Sequence, residues 1–105
     1  MTTKLELGLA AIQQQMRELD EISKQTMDDL NTVAGTERVA KWKTRTAALL
    51  SQAVGEKEGL AFARQQPGPS FTNDLVEEFS DLVEQYHTAL QTLMKKLRTE
   101  SAKTD

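Results

Sequence analysis

The side chains able to do chemistry stand in short clusters along the chain. Glu84 and His87 form an E-x-x-H spacing, which sets a carboxylate and an imidazole one helical turn apart and could supply half of a two-metal site. The other half would need a second such pair, and His87 is the only histidine, so a dimer would have to provide it. The plainer reading sets His87 at the edge of an apolar stripe, near Val83 and Leu90. Carboxylates three apart also occur at Glu18/Glu21 and Glu78/Asp81. Such pairs place two carboxylates one helical turn apart, although acids near a helix start are also favoured by the helix dipole alone. A third cluster surrounds the sole tryptophan: Arg38, Lys41, Lys43 and Arg45 flank Trp42. Residues 38, 41 and 45 share one helical face with Trp42 at its edge, a patch that could contact phosphates and stack a base. Otherwise Trp42 anchors the core and the cations are solvated. The chain has no cysteine, which excludes thiol nucleophiles, disulfides and cysteine-based zinc sites within it. It carries no glycine-rich phosphate loop and suggests no Ser-His-Asp arrangement.

The elements that must position these groups all read as helices. From about residue 3 to 34, apolar or small side chains fall at Leu5, Leu9, Ile12, Met16, Leu19, Ser23, Thr26, Leu30 and Val33. That alternation of four and three is a heptad pattern. Ile22 and Met27 widen the stripe to bundle width. Gly35 is the expected stop, and Thr36 the expected cap of a second helix, about 36–54, carrying Val39, Trp42, Thr46, Leu49, Leu50 and Ala53. A short helix of about 57–64 brings Leu60 and Phe62, and the run 65–70 is the clearest loop. The last helix, about 72–98, is expected to be capped by Thr72 with a Phe71–Val76 staple. Its stripe is Leu75, Phe79, Leu82, Val83, Tyr86, Leu90, Leu93 and Leu97, and residues 99–105 read as a frayed tail.

Composition narrows the function classes. With 105 residues the chain has room for one domain and one modest core. Hydrophobic residues at 38% and charged residues at 28% fit a helical bundle rather than disorder. A net charge of -3 argues against general nucleic-acid binding, which needs clustered excess cations. No apolar stretch reaches the length of a membrane span, and the start of the chain lacks the apolar block of a signal peptide, so the expected compartment is the cytoplasm.

Sequence likenesses add to this. Glu78-Phe79-Ser80-Asp81 is similar to the second metal motif of all-helical nucleotide pyrophosphatases, and Val54-Gly55-Glu56-Lys57-Glu58 to the run before the first motif in the phosphoribosyl-ATP pyrophosphatase family. The first carboxylate pair is missing, because Glu56 is followed three residues on by Gly59 and Glu58 by Ala61. Secreted helical hairpins built around a Trp-x-Gly turn share the length and the central Trp, but Trp42-Lys43-Thr44 lacks the glycine. The segment 39–56, with Trp42-Lys43-Thr44-Arg45, the pair Leu49-Leu50 and Val54-Gly55-Glu56, resembles small helical modules associated with bacterial anti-phage defence and nucleotide-sensing proteins. That resemblance implies an adaptor or oligomerisation role and carries no catalytic residues.

The expected fold is therefore all-α: a small bundle of three main helices. Helices one and three form a long antiparallel hairpin, and helix two with the short piece covers one side. The expected function is a non-enzymatic interaction or oligomerisation module that binds itself or a protein partner, with no cofactor and no membrane. The heptad stripe of helix one, about 45 Å long at 1.5 Å per residue, exceeds what helix two can cover. Its expected interaction residues are Leu5, Leu9, Ile12, Met16 and Leu19, with Trp42 as either core anchor or recognition residue. The alternatives are a metal-dependent nucleotide pyrophosphohydrolase and, after it, a nucleic-acid-binding protein using Arg38, Lys41, Lys43 and Arg45.

Overall fold

A computed structural model describes residues 3–66 and 74–103. Among them are four helices and no strand: α1 (Lys4–Asp29), α2 (Thr32–Ala53), α3 (Glu56–Ala63) and α4 (Leu75–Lys103). None of these helices is long and apolar enough to cross a membrane. Thr3 starts α1 by accepting the Glu6 amide on its hydroxyl at 3.1 Å.

The first boundary lies earlier than the heptad pattern predicts. Helix α1 ends at Asp29, and Leu30 adopts a left-handed conformation, φ 54° and ψ 25°. The Asp29 carboxylate accepts the Asn31 amide at 2.9 Å, and the Asn31 side chain then caps α2 by accepting the Ala34 amide at 3.1 Å. Gly35 is thus no helix stop. It lies buried inside α2, where a Cβ would sit 2.5 Å from Thr26 Cγ2 and 3.0 Å from Phe79 Cε2. The glycine lets α1, α2 and α4 approach closely. Thr36 is no cap either: its hydroxyl donates to the Thr32 carbonyl within α2.

The arrangement of helices also differs from expectation. Helices α1 and α2 run antiparallel over their full lengths, with Gly8 beside Ala53 and Val54, Gln15 beside Trp42 and Thr46, and Thr26 beside Gly35. Helix α4 is antiparallel to α1, as expected, because Leu97 lies near Gly8 and Phe79 near Gly35. But α2 packs most extensively, against α1 on one side and α3 on another, so it is the central element rather than a cover. The physical reason is the tight Leu30–Asn31 connection, which lengthens α2 to 22 residues and lays it along α1. At the other end α4 continues to Lys103, past Arg98 where fraying is expected, since Thr99-Glu100-Ser101-Ala102-Lys103 contains no helix breaker. The Thr72 cap and the Phe71 staple lie outside the described residues. Asp74 accepts the Val76 amide at 2.9 Å at the start of α4.

The core is centred on an aromatic triangle with one member from each of three helices. Trp42 of α2 meets Phe62 of α3 edge-on at 5.7 Å, and Tyr86 of α4 lies 6.0 Å from Trp42 and 5.8 Å from Phe62. The fourth helix joins through a hydrogen bond: Trp42 Nε1 donates to the Gln15 carbonyl at 3.0 Å. The buried Thr46 hydroxyl donates to Gln15 Oε1 at 2.8 Å. This polar pair fixes the register of α1 on α2, because a slip would strand buried polar atoms. Ile12, Leu19, Val39, Leu50, Phe79 and Leu90 complete the core.

Candidate interaction surface

The structure divides the residues expected to bind a partner. Ile12 and Leu19 are fully buried in the chain's own core, as is Trp42. Leu5, Leu9 and Met16 are half-buried. The stripe of α1 is therefore covered by α2 and α4 together, and Ile12, Leu19 and Trp42 are not presented to a partner in this conformation. The middle of the stripe is thus closed by the chain itself, while Leu5, Leu9 and Met16 keep part of it open.

The basic cluster is dispersed. Arg38 turns toward the α1–α2 turn, with its guanidinium 3.8 Å from the Asp29 carboxylate. Lys43 points the other way, donating to the Gln65 carbonyl, with its ammonium 5.3 Å from the centroid of the Tyr86 ring. Lys41 and Arg45 remain exposed. Trp42, which would have to stack a base, is inside the fold.

The carboxylates likewise stay apart. Glu21, Glu78, Asp81 and Glu84 are exposed, Glu18 and His87 half-buried. Among the described residues, no three His, Cys, Asp or Glu side chains gather closely enough to hold a metal ion.

What the sequence pattern did not reveal is an apolar surface at one end of the bundle. Leu30 is 67% exposed, Val33 72% and Leu75 61%. Leu30 and Val33 flank the α1–α2 turn. Leu75 opens α4 one turn before Phe79, which packs beside Gly35 at the same end. Exposed carboxylates rim this end: Asp28, Asp29, Glu37, Asp74, Glu77 and Glu78. At the opposite end, Gly8 sits among Ala53, Val54 and Leu97, and with Lys4, Leu5 and Glu100 these residues line an open cleft of about 320 Å³.

Leu30 is the most unusual residue of the surface. It is the one non-glycine residue with positive φ among those described. A left-handed conformation costs a branched L-residue about 1–2 kcal/mol, and Gly or Asn is the ordinary occupant of a helix C-terminus of this kind. Leu30 gains little from burial in return. Leu30→Asn is therefore expected to stabilise the fold by about 0.5–1.5 kcal/mol, since Asn tolerates this conformation better. A thermal melt followed by circular dichroism checks it, and a melting temperature lowered by the change would contradict it.

Comparison with protein-family models, with curated proteins and with solved structures finds no match for this chain.

Proposed function

We propose that this chain is a non-enzymatic helical interaction module that binds itself or a larger protein partner through the end of the bundle formed by the α1–α2 turn and the start of α4. The observation that carries this reading is Leu30, a large apolar side chain held in an unfavourable backbone conformation and left in solvent. Gly or Asn would hold this turn at less cost, so the exposed apolar side chain is the feature of the turn that a partner could use. Val33 and Leu75 are exposed at the same end of the bundle, and the acids there could supply the polar rim of a docking patch. The resemblance of 39–56 to modules associated with anti-phage defence suggests an adaptor role in that setting.

The test compares the wild type with a Leu30→Asn/Val33→Ser variant by light scattering over a concentration series, and by the proteins each retains from its native cell. The expected result is an assembly or a retained partner that the variant loses while keeping its helical content. A variant that assembles and retains partners as the wild type does would overturn the reading.

A further inference from the structure

We infer that this chain pairs with a second copy by exchanging α1. The Leu30–Asn31 turn opens, and the α1 of each copy lies in the groove that the other copy's α1 otherwise fills. The inference goes beyond the interaction-module reading and does not depend on it. What selects a second copy is the fold itself. The surface that receives α1 is built by α2 and α4, and it is matched to that helix in detail. Ile12 and Leu19 are fully buried there, the Gln15 carbonyl and side chain accept from Trp42 and Thr46, and Thr26 lies against Gly35. A second copy brings the same side chains to the same places. The closed and exchanged forms therefore share this interface and differ at the turn. Each α1 is used once, so the assembly closes at two copies.

The turn is short and strained. Only Leu30 and Asn31 join the 26 residues of α1 to the 22 of α2. Leu30 holds φ 54° and ψ 25°, a conformation that Gly or Asn ordinarily supplies at a helix end. No glycine or proline stands between Gly8 and Gly35, so no helix breaker enforces the reversal. Short connections under strain favour exchange, because opening relieves both copies at once while the packed contacts are remade. Two bonds oppose it. The Asp29 carboxylate accepts the Asn31 amide at 2.9 Å, and the Asn31 side chain accepts the Ala34 amide at 3.1 Å. They hold the monomer at low concentration. Since α1 must leave the core to exchange, interconversion is as slow as unfolding.

Cross-linking tests this. The chain has no cysteine, so introduced ones report alone. A Cβ at Gly8 would lie 3.3 Å from Val54 Cγ2, close enough for Gly8→Cys/Val54→Cys to join α1 to α2 by a disulfide. Heavy-isotope and ordinary batches of this variant are unfolded together, refolded at high concentration and oxidised. Mass spectrometry is expected to find the heavy residue-8 peptide linked to the ordinary residue-54 peptide. The same batches mixed briefly after folding are expected to give links within one chain. Links within one chain in both samples overturn the inference. So do mixed links in both, which report a surface contact. Without the cysteines, light scattering of protein refolded at high concentration is expected to show a dimer that persists on dilution. Leu30→Asn relieves the closed turn and is expected to lower the dimerisation constant at least about tenfold. Asn31→Ala removes a bond of the closed turn and is expected to raise it about tenfold. Either variant dimerising as the wild type does overturns the inference, as does a refolded wild type that is monomeric throughout. Docking at the apolar end is judged separately, because a surface contact dissociates at once on dilution.

Discussion

Trp42→Ala is expected to have the largest effect of any single substitution on stability, about 3–5 kcal/mol. A domain of this size has a total stability of about 5–15 kcal/mol, so the variant would be largely unfolded at moderately raised temperature. The reason is that Trp42 is where all four helices meet. Its ring packs on Phe62 of α3 and Tyr86 of α4, and its Nε1 donates to the Gln15 carbonyl of α1. Removing it leaves a cavity that rigid helix backbones cannot close. Trp42→Phe keeps much of the packing and drops the hydrogen bond, and is expected to cost about 1–3 kcal/mol. Denaturant unfolding followed by circular dichroism measures both. If Trp42→Ala melted like the wild type, the assignment of Trp42 to the core would be wrong.

Gly59→Ala is expected to undock α3 while leaving the rest of the bundle folded. Elsewhere a Gly to Ala change inside a helix gains about 1 kcal/mol from propensity. Here the new Cβ would overlap the Ser51 hydroxyl and sit 2.7 Å from the Ala47 carbonyl oxygen. The Ser51 hydroxyl can rotate away, but the Ser51 Cβ, 2.9 Å from the new atom, and the Ala47 oxygen are fixed to the backbone of α2 and cannot. With only eight residues, α3 is too short to persist once it leaves α2. Hydrogen exchange should therefore lose protection over Glu56–Ala63, with α1, α2 and α4 retaining theirs and the overall loss near 1–3 kcal/mol. Protection of α3 equal to that of the wild type would contradict the close approach of these two helices.

Most of the apolar core could be read from periodicity, because its large side chains lie on stripes that repeat at helical spacing. Ile12, Leu19, Val39, Trp42, Phe79, Tyr86 and Leu90 all fall on such stripes and are buried. The register between helices could not be read this way. Gly35 looked like a helix end because glycine often is one locally, but its role is set by Thr26 and Phe79, which are distant in sequence. Leu30 and Val33 continued the heptad of α1 so regularly that the turn between them was masked. The local signal that marks it, Asp29 and Asn31 both bonding nearby amides, is carried by polar residues that a hydrophobic pattern ignores. The same two residues set Leu30 and Val33 at the surface, while Ile12 and Leu19 of the same stripe are buried. A stripe continued past a turn becomes an exposed end, and only the position of the turn distinguishes the two. Gln15, which joins Trp42 and Thr46 inside the bundle, stood in a polar run that gave no reason to place it indoors.

The measurement that bears most directly on the role of this end is side-chain labelling by hydroxyl radicals, resolved by mass spectrometry. Leu30, Val33 and Leu75 would be followed beside Leu7 and Leu60, which are 55% and 48% exposed elsewhere on the surface. The expected result is strong labelling of all five in dilute protein. On assembly or partner binding, Leu30, Val33 and Leu75 would be selectively protected while Leu60 stays labelled. Assembly or binding that leaves Leu30 and Val33 as reactive as in the dilute protein would contradict the account.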